Sequence, residues 1–201
     1  MKNKRSPENM QIIAGKYARR KLESPTGDNV RPPLTRFRKA LFDTLMPFLP
    51  RGPFLDLFGG SGSFAIEALS RGAPEATVVE LNHRTAQLIQ SNAKNIGVEE
   101  PIEVLKGNAL DWLPKLAERG ESYAVISAAP PYHQGLEPKI LDLMDELLRD
   151  YEILQPDGIF YLQYPKKDVF DLDREYMDLW KSKSYGKTTF SYFFLKEDEE
   201  A

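Results

Sequence analysis

The chain has no cysteine and only two histidines. It therefore has no disulfide, no thiolate nucleophile and no cysteine-based metal site, and His83 and His133 are too few for a histidine-rich centre, so no metal is expected. Long hydrophobic runs are missing too. No apolar stretch approaches the roughly 18 residues that cross a bilayer, so no membrane partner is expected. The opening segment MKNKRSPENM has no apolar run behind its charges, which argues against a secretory signal. What remains, 41% hydrophobic and 28% charged residues in 201, suits a soluble globular chain: one α/β domain plus a short extension. A cytoplasmic location fits best.

The net charge of −3 is unevenly placed: residues 1–40 hold 11 Lys and Arg against 3 Asp and Glu, and the rest hold 16 against 27. A basic arm on an acidic body suits a polyanionic partner held mainly by the arm, or is simply a solvated tail. Arg31, Arg36 and Arg38 stand near prolines or the apolar Phe37 and Leu41, which reads as structure rather than tail.

Positions 1–9 read as a disordered tail. MQIIAG (10–15) reads as a short strand, with Lys16–Leu22 continuing into a basic hairpin arm. The turn-rich SPTGDNVRPP (24–33) leads to a helix over 35–48, whose apolar face is Ala40, Leu41, Leu45 and Phe48. Strands are expected at 54–58, 76–81, 102–106, 123–128 and 158–164, with helices at 62–71, 83–96, 109–119 and 137–153 between them. That alternation predicts a parallel, doubly wound sheet, and KSKSYGKTTFSYFFLK (181–196) predicts a closing antiparallel hairpin. The terminal EDEEA reads as a frayed end. The division is thus a tail (1–9), a basic extension (10–34) and a domain (35–196).

FLDLFGGSGSFAIEAL (54–69) sets a glycine-rich turn between a strand and a helix. Gly59, Gly60 and Gly62 allow a ligand to approach the backbone, and the helix start directs free N–H groups at it. A tight strand–helix turn with no ligand would look similar. Asp56 inside the strand is a carboxylate that needs partners once buried. Glu80 ends the next strand, where it can accept from ribose hydroxyls. A full G-x-G-x-x-G is absent, because position 65 is Ala65, and no Gly-Lys-Ser/Thr follows to make a P-loop. Asn108 follows the third strand, where its amide can read an adenine edge or cap the next helix. Three polar positions at the ends of consecutive strands suit S-adenosylmethionine (SAM).

MQIIAGKYARRKL, VRPPLTRFRKALFDTL, LDLFGGSGSFAIEALSRGA, a Pro-Pro-Tyr loop and a late SYGKT together resemble the RsmD family. Its members are bacterial methyltransferases of a guanine exocyclic amine in small-subunit ribosomal RNA. The resemblance runs from about Met10 to Phe193, and the blocks before the glycine turn are its most specific part. It implies a Rossmann-like, seven-stranded methyltransferase sheet with an antiparallel last strand. The implied SAM site comprises Asp56, Phe58, Gly59, Gly60, Gly62, Glu80, Leu81, Asn108 and Ala109. The implied partner is small-subunit ribosomal RNA or the assembled small subunit. Arg19, Arg20, Arg31, Arg36 and Arg38 would hold its phosphates, contacts that position without reading sequence. A monomer is the working expectation.

Family members carry Asp-Pro-Pro-Tyr or Asp-Pro-Pro-Phe where this chain has Ala129, Pro130, Pro131 and Tyr132. The guanine amine is a poor nucleophile because its lone pair is delocalised into the ring. In the family pattern the Asp side chain and the first proline's carbonyl accept from its N–H groups and stabilise the charge that develops. Tyr132 offers a ring for stacking a flipped-out base. Ala129 accepts nothing, and losing one such group costs about 3–4 kcal/mol, or roughly 10²–10³ in rate. Asp142 and Asp145 lie too far along the next helix to replace it. Ser127 shares its side of the strand, but deeper.

Three readings stay open: a methyltransferase with weakened or altered amine activation, a chain whose Asp was replaced deliberately, and an RNA-binding or assembly protein on a methyltransferase scaffold. A DNA adenine amino-methyltransferase, whose Pro-Pro-Tyr loop is similar, is disfavoured by the IIAG and VRP blocks. Trp112, Trp180 and FSYFF (190–194) read as core or strand-face residues, and His133 as an exposed loop histidine. Lys166 and Lys167 read as phosphate contacts or a solvated pair, and Asn82, Arg84 and Asn92 as capping or solvating groups.

Overall fold

The computed structural model describes residues 10–25 and 35–196. The tail at 1–9, most of the 24–33 turn, Arg31 and the acidic end lie outside these residues. Strands β1 (Met10–Gln11) and β2 (Lys21–Leu22) pair antiparallel as the arm, and helix α1 (Thr35–Leu45) follows. Then β3 (Phe54–Asp56), α2 (Ser63–Ser70), β4 (Ala76–Glu80), α3 (His83–Ile96), β5 (Ile102–Lys106), α4 (Ala109–Glu118), β6 (Tyr123–Ala128) and α5 (Glu137–Asp150) alternate. Strands β7 (Leu154–Pro165), β8 (Met177–Tyr185) and β9 (Thr188–Leu195) finish the chain.

The sheet has seven strands in the order β5-β4-β3-β6-β7-β9-β8. Pairing is parallel from β5 to β7 and antiparallel for β7–β9 and β8–β9. The closing hairpin is therefore as expected, with a two-residue Gly186-Lys187 turn. It is longer than the 181–196 run suggested, because β8 is an edge strand whose first residues after Met177 (Asp178, Leu179, Trp180) are all exposed and so carry no alternating pattern. Likewise β7 starts at Leu154 rather than 158, with a register shift against β6 before the regular pairing from Ile159.

Residues 54–56 and 123–128 are buried throughout, as strands covered on both faces must be. One face packs against α1, α2 and α3 around Phe42, Phe64, Ile66 and Ile89. The other packs against α4 and α5 around Leu113, Leu116, Leu141 and Met144. Strand order reverses at β3, so the crevice beyond the carboxyl ends of β3 and β6 is where such sheets bind ligands. Among the described residues no helix is long and apolar enough to cross a membrane. No group of three or more His, Asp or Glu side chains among them converges to hold a metal ion.

Candidate cofactor and substrate site

The turn after β3 closes with Gly62 N–H donating to Gly59 O at 2.8 Å, while Gly59 N–H donates to Val79 O at 2.9 Å. A Cβ on Gly59 would sit 2.4 Å from Val78 Cγ1, so a side chain there would push the turn off β4. Gly60 has φ +54° and nothing within 4 Å of where its Cβ would be, which leaves an open backbone face. Glu80 braces the turn: Oε2 accepts from Gly60 N–H at 2.9 Å and Oε1 from Asn82 N–H at 2.7 Å. A carboxylate has about four acceptor sites, so two remain for a ligand's hydroxyls. No side chain caps α2, whose first N–H groups face the same crevice.

Asp56, Ser127 and Tyr161 are register partners on adjacent strands and therefore share one face of the sheet. Ser127 Oγ lies 2.6 Å from the Tyr161 hydroxyl and donates to Asp56 Oδ1 at 3.4 Å, and Phe58 N–H donates to the same oxygen at 3.3 Å. Asp56 is 1% exposed, and its Oδ2 has no partner. Burial raises its pKa to about 7, against the opposing hydrogen bonds from Phe58 and Ser127, with the Glu80 charge adding to the rise.

The remaining expected residues stand around this centre. Phe58 is half-buried, Leu81 is 71% exposed at the rim, and Ala109 is buried at the start of α4. Asn108 caps α4 by accepting from Leu110 N–H at 3.1 Å, and it is itself exposed. Beyond β6, Ala129 is half-buried, Pro130 buried and Pro131 exposed. Tyr132 is 37% exposed, with its hydroxyl 2.8 Å from Thr188 Oγ1 and accepting from Gln163 Nε2 at 3.4 Å, so the loop is tied to the closing hairpin. His133 is exposed with φ +67°. Asp145 accepts from Glu175 and Tyr176 N–H at 3.0 and 2.8 Å, and Asp142 pairs with Arg174 at 2.8 Å. Both carboxylates are thus engaged by the segment at 174–176.

The family described as conserved hypothetical protein 95 matches residues 10–194. Ribosomal RNA small subunit methyltransferase D of Haemophilus influenzae is 31% identical over 92% of this chain and 93% of its own length. The chain belongs to the RsmD family. A solved structure of a Thermus thermophilus hypothetical protein is 29% identical, with a TM-score of 0.76 over 91% of this chain and 98% of that one. An RNA methyltransferase from Salinibacter ruber, solved with S-adenosyl-L-homocysteine, shares the fold (16% identity, TM-score 0.61, 85% of this chain and 97% of that one). The sheet is that of the SAM-dependent methyltransferases.

In this RsmD-family chain the arm is built into the domain rather than trailing from it. Buried Glu67 of α2 accepts from Ile13 N–H at 2.7 Å and Ala14 N–H at 3.1 Å, and pairs with Arg38 at 3.3 Å and Arg71 at 2.7 Å. Ser70 Oγ donates to Ala14 O at 2.6 Å and accepts from Tyr17 N–H at 2.9 Å. Gly15 makes this contact possible: with φ +84°, its Cβ would lie 1.8 Å from Ser70 O. Buried Asn92 donates to Glu23 O and Ser61 O, both at 2.9 Å, and accepts from Glu23 N–H at 2.9 Å, joining the end of the arm to the glycine turn. Met10 Sδ accepts from Ser61 Oγ at 3.1 Å at the arm's other end.

Arg38, expected on RNA phosphate, is instead 2% exposed and donates to Gln11 O at 2.7 Å and to Glu67. It is a structural counter-charge, not a phosphate contact. Arg19 and Arg20 are exposed, although Arg20 also donates to Ile96 O at 2.6 Å. The side chain of Arg36 lies outside the described residues. Asn82 caps α3 as expected, accepting from Arg84 and Thr85 N–H. Asn92 neither caps nor solvates. Its signal, a lone Asn among apolar positions of a helix face (Ile89, Ala93, Ile96), reads as a buried polar group needing partners.

Proposed function

We propose that this chain methylates the exocyclic amine of a guanine in small-subunit ribosomal RNA with SAM as donor, and that Ala129 leaves the amine less activated than an acid would. The observation that carries the reading is the register pair Asp56–Ser127: it sets the glycine turn and the Ala129–Tyr132 loop at the ends of adjacent strands, facing one crevice. The residues fit SAM. Asp56 Oδ2 lacks a donor, Gly60 leaves its face open, and Glu80 keeps acceptor sites free. SAM, when bound, supplies a methyl group activated on a sulfonium.

Asp56 and Glu80 would hold it with the backbone of Gly59, Gly60 and Gly62, while Leu81 and Asn108 flank the base and Phe58 and Ala109 close the walls. The Pro130 carbonyl accepts from the guanine amine, and Tyr132 stacks on the flipped-out ring. With SAM bound, the amine nitrogen held there would take the methyl group from the sulfonium, which would leave as the neutral thioether, and one N–H proton would pass to water. Arg19, Arg20, Arg31 and Arg36 hold phosphates, on naked RNA or on the assembled subunit. The chain works as a cytoplasmic monomer.

Ala129 supports one further reading, an RNA-binding or assembly protein on a methyltransferase scaffold. The test is methyl transfer to unmethylated small subunits by this chain and by Ala129→Asp. Both are expected to bind SAM, with transfer faster in the Asp variant by about 10²–10³. Equal rates overturn the role given to the acid. Transfer by the Asp variant alone selects the scaffold reading, and failure of either form to bind SAM overturns the cofactor assignment.

A further inference from the structure

The edge strand β8 carries a cationic and aromatic face that the site described above does not use. A register shift between Leu179 and Lys181 against β9 puts Trp180 on the same face as Lys181. Trp180 is 48% exposed; Lys181 Nζ lies 3.5 Å from its ring centroid, and the ring sits 5.2 Å from Phe194 and 6.3 Å from Tyr192. Lys183 is the next residue on this face, exposed and 5.4 Å from the ring of Tyr185. Same-face positions recur every ~6.8 Å along a strand, on the scale of one nucleotide of an extended chain.

The row ends at the substrate loop. After the Gly186 turn, Lys187 is exposed, and Lys166 N–H donates to its carbonyl at 2.8 Å, which brings Lys166 alongside. The next residue, Thr188, holds the Tyr132 hydroxyl. Among the described residues none of Lys166, Lys181, Lys183 or Lys187 is ion-paired. Burial and the neighbouring charge of Lys183 lower the pKa of Lys181, as for a cation without a counter-ion. Asp178 closes the row at its far end.

We infer that β8 is a track for a single-stranded stretch of RNA, in which Lys166, Lys187, Lys183 and Lys181 take successive phosphates and Trp180 stacks one base, leading the strand to Tyr132. This rests on the RNA reading above. Unpaired cations favour a polyanion over a protein, and an exposed ring beside them suits a nucleobase.

Binding of a short labelled single-stranded RNA, and of unmethylated small subunits, tests the track as a function of salt. Lys181→Glu/Lys183→Glu is expected to weaken both about tenfold and to lower the slope of log affinity against log salt by about 1.4, at ~0.7 per phosphate contact. Lys115→Glu/Lys139→Glu, the same charge change on α4 and α5 across the sheet, is expected to do neither. In a Trp112→Phe chain, RNA quenches the remaining Trp180 fluorescence. Equal losses in the two double variants, or no quenching, overturn the track while leaving the function standing. If the parent chain binds no RNA at all, the RNA reading falls and the track with it. Thermal melting of each variant separates lost binding from lost folding.

Discussion

Asp56 shows what one sealed carboxyl group does to the whole chain. Unfolded, it ionises near pH 4; folded, it keeps its proton to about 7. Between those values the native state binds more protons than the unfolded state, so this group's contribution to stability falls as pH rises from about 4 to about 7. Asp56→Asn removes that term. The difference in Tm between variant and parent should therefore shift in the variant's favour from pH 5 to pH 8, and a constant difference would refute the buried, protonated assignment. Gly15 makes a second residue-scale prediction. Its φ of +84° and the Ser70 oxygen 1.8 Å from a would-be Cβ leave alanine no room, because the obstacle is backbone. Gly15→Ala should cost about 1–3 kcal/mol, read as a fall in Tm of several degrees.

At the scale of elements, the arm is held by α2 rather than by its own two-residue strands, which are too short to be stable alone. Glu67 gathers two backbone N–H groups and two guanidinium groups in a dry site. Glu67→Ala strands Arg38 as a buried cation and leaves Arg71 only its pair with Asp43 at 3.6 Å, at a cost of about 3–5 kcal/mol. Hydrogen exchange at residues 10–25 should accelerate more than exchange in β6; uniform acceleration would mean that the arm is not a separate clasp. The arm and α2 are legible in the sequence, but the clasp is not. Glu67 and Ile13 are far apart in the chain, and no local pattern marks them as partners.

For the whole molecule, strand order decides how the pieces combine. With β3 beside β4 on one side and β6 on the other, the glycine turn, Glu80 and the Ala129–Tyr132 loop open on one edge. The basic arm reaches that edge through Ser61, and the closing hairpin reaches it through Thr188. Under the proposed function, an acidic body would then present cations to RNA from two sides. Arg19→Glu/Lys21→Glu should lower RNA affinity and its salt slope while leaving SAM affinity unchanged, measured by titration of each ligand separately. A matching loss of SAM affinity would show that the arm acts through the turn rather than on phosphates.

The amino-acid sequence by itself determined the order of strands and helices, the glycine turn, the closing hairpin and the loop at 129–132. Those features are written in local periodicity, in continuous apolar runs and in the few residue types that tight turns accept. It also marked Asp56, Glu80 and Asn108, because a polar residue at the end of an apolar strand stands out. Only the tertiary structure decided where long side chains go. Arg38 read like the other arginines of its stretch until α2 supplied Glu67, and Trp180, read as a core or strand-face residue, was placed on the exposed face of the sheet's edge only by a register shift. An arginine or tryptophan is stable buried or exposed, according to the charges and faces that distant segments bring beside it, and those are settled only when the sheet closes.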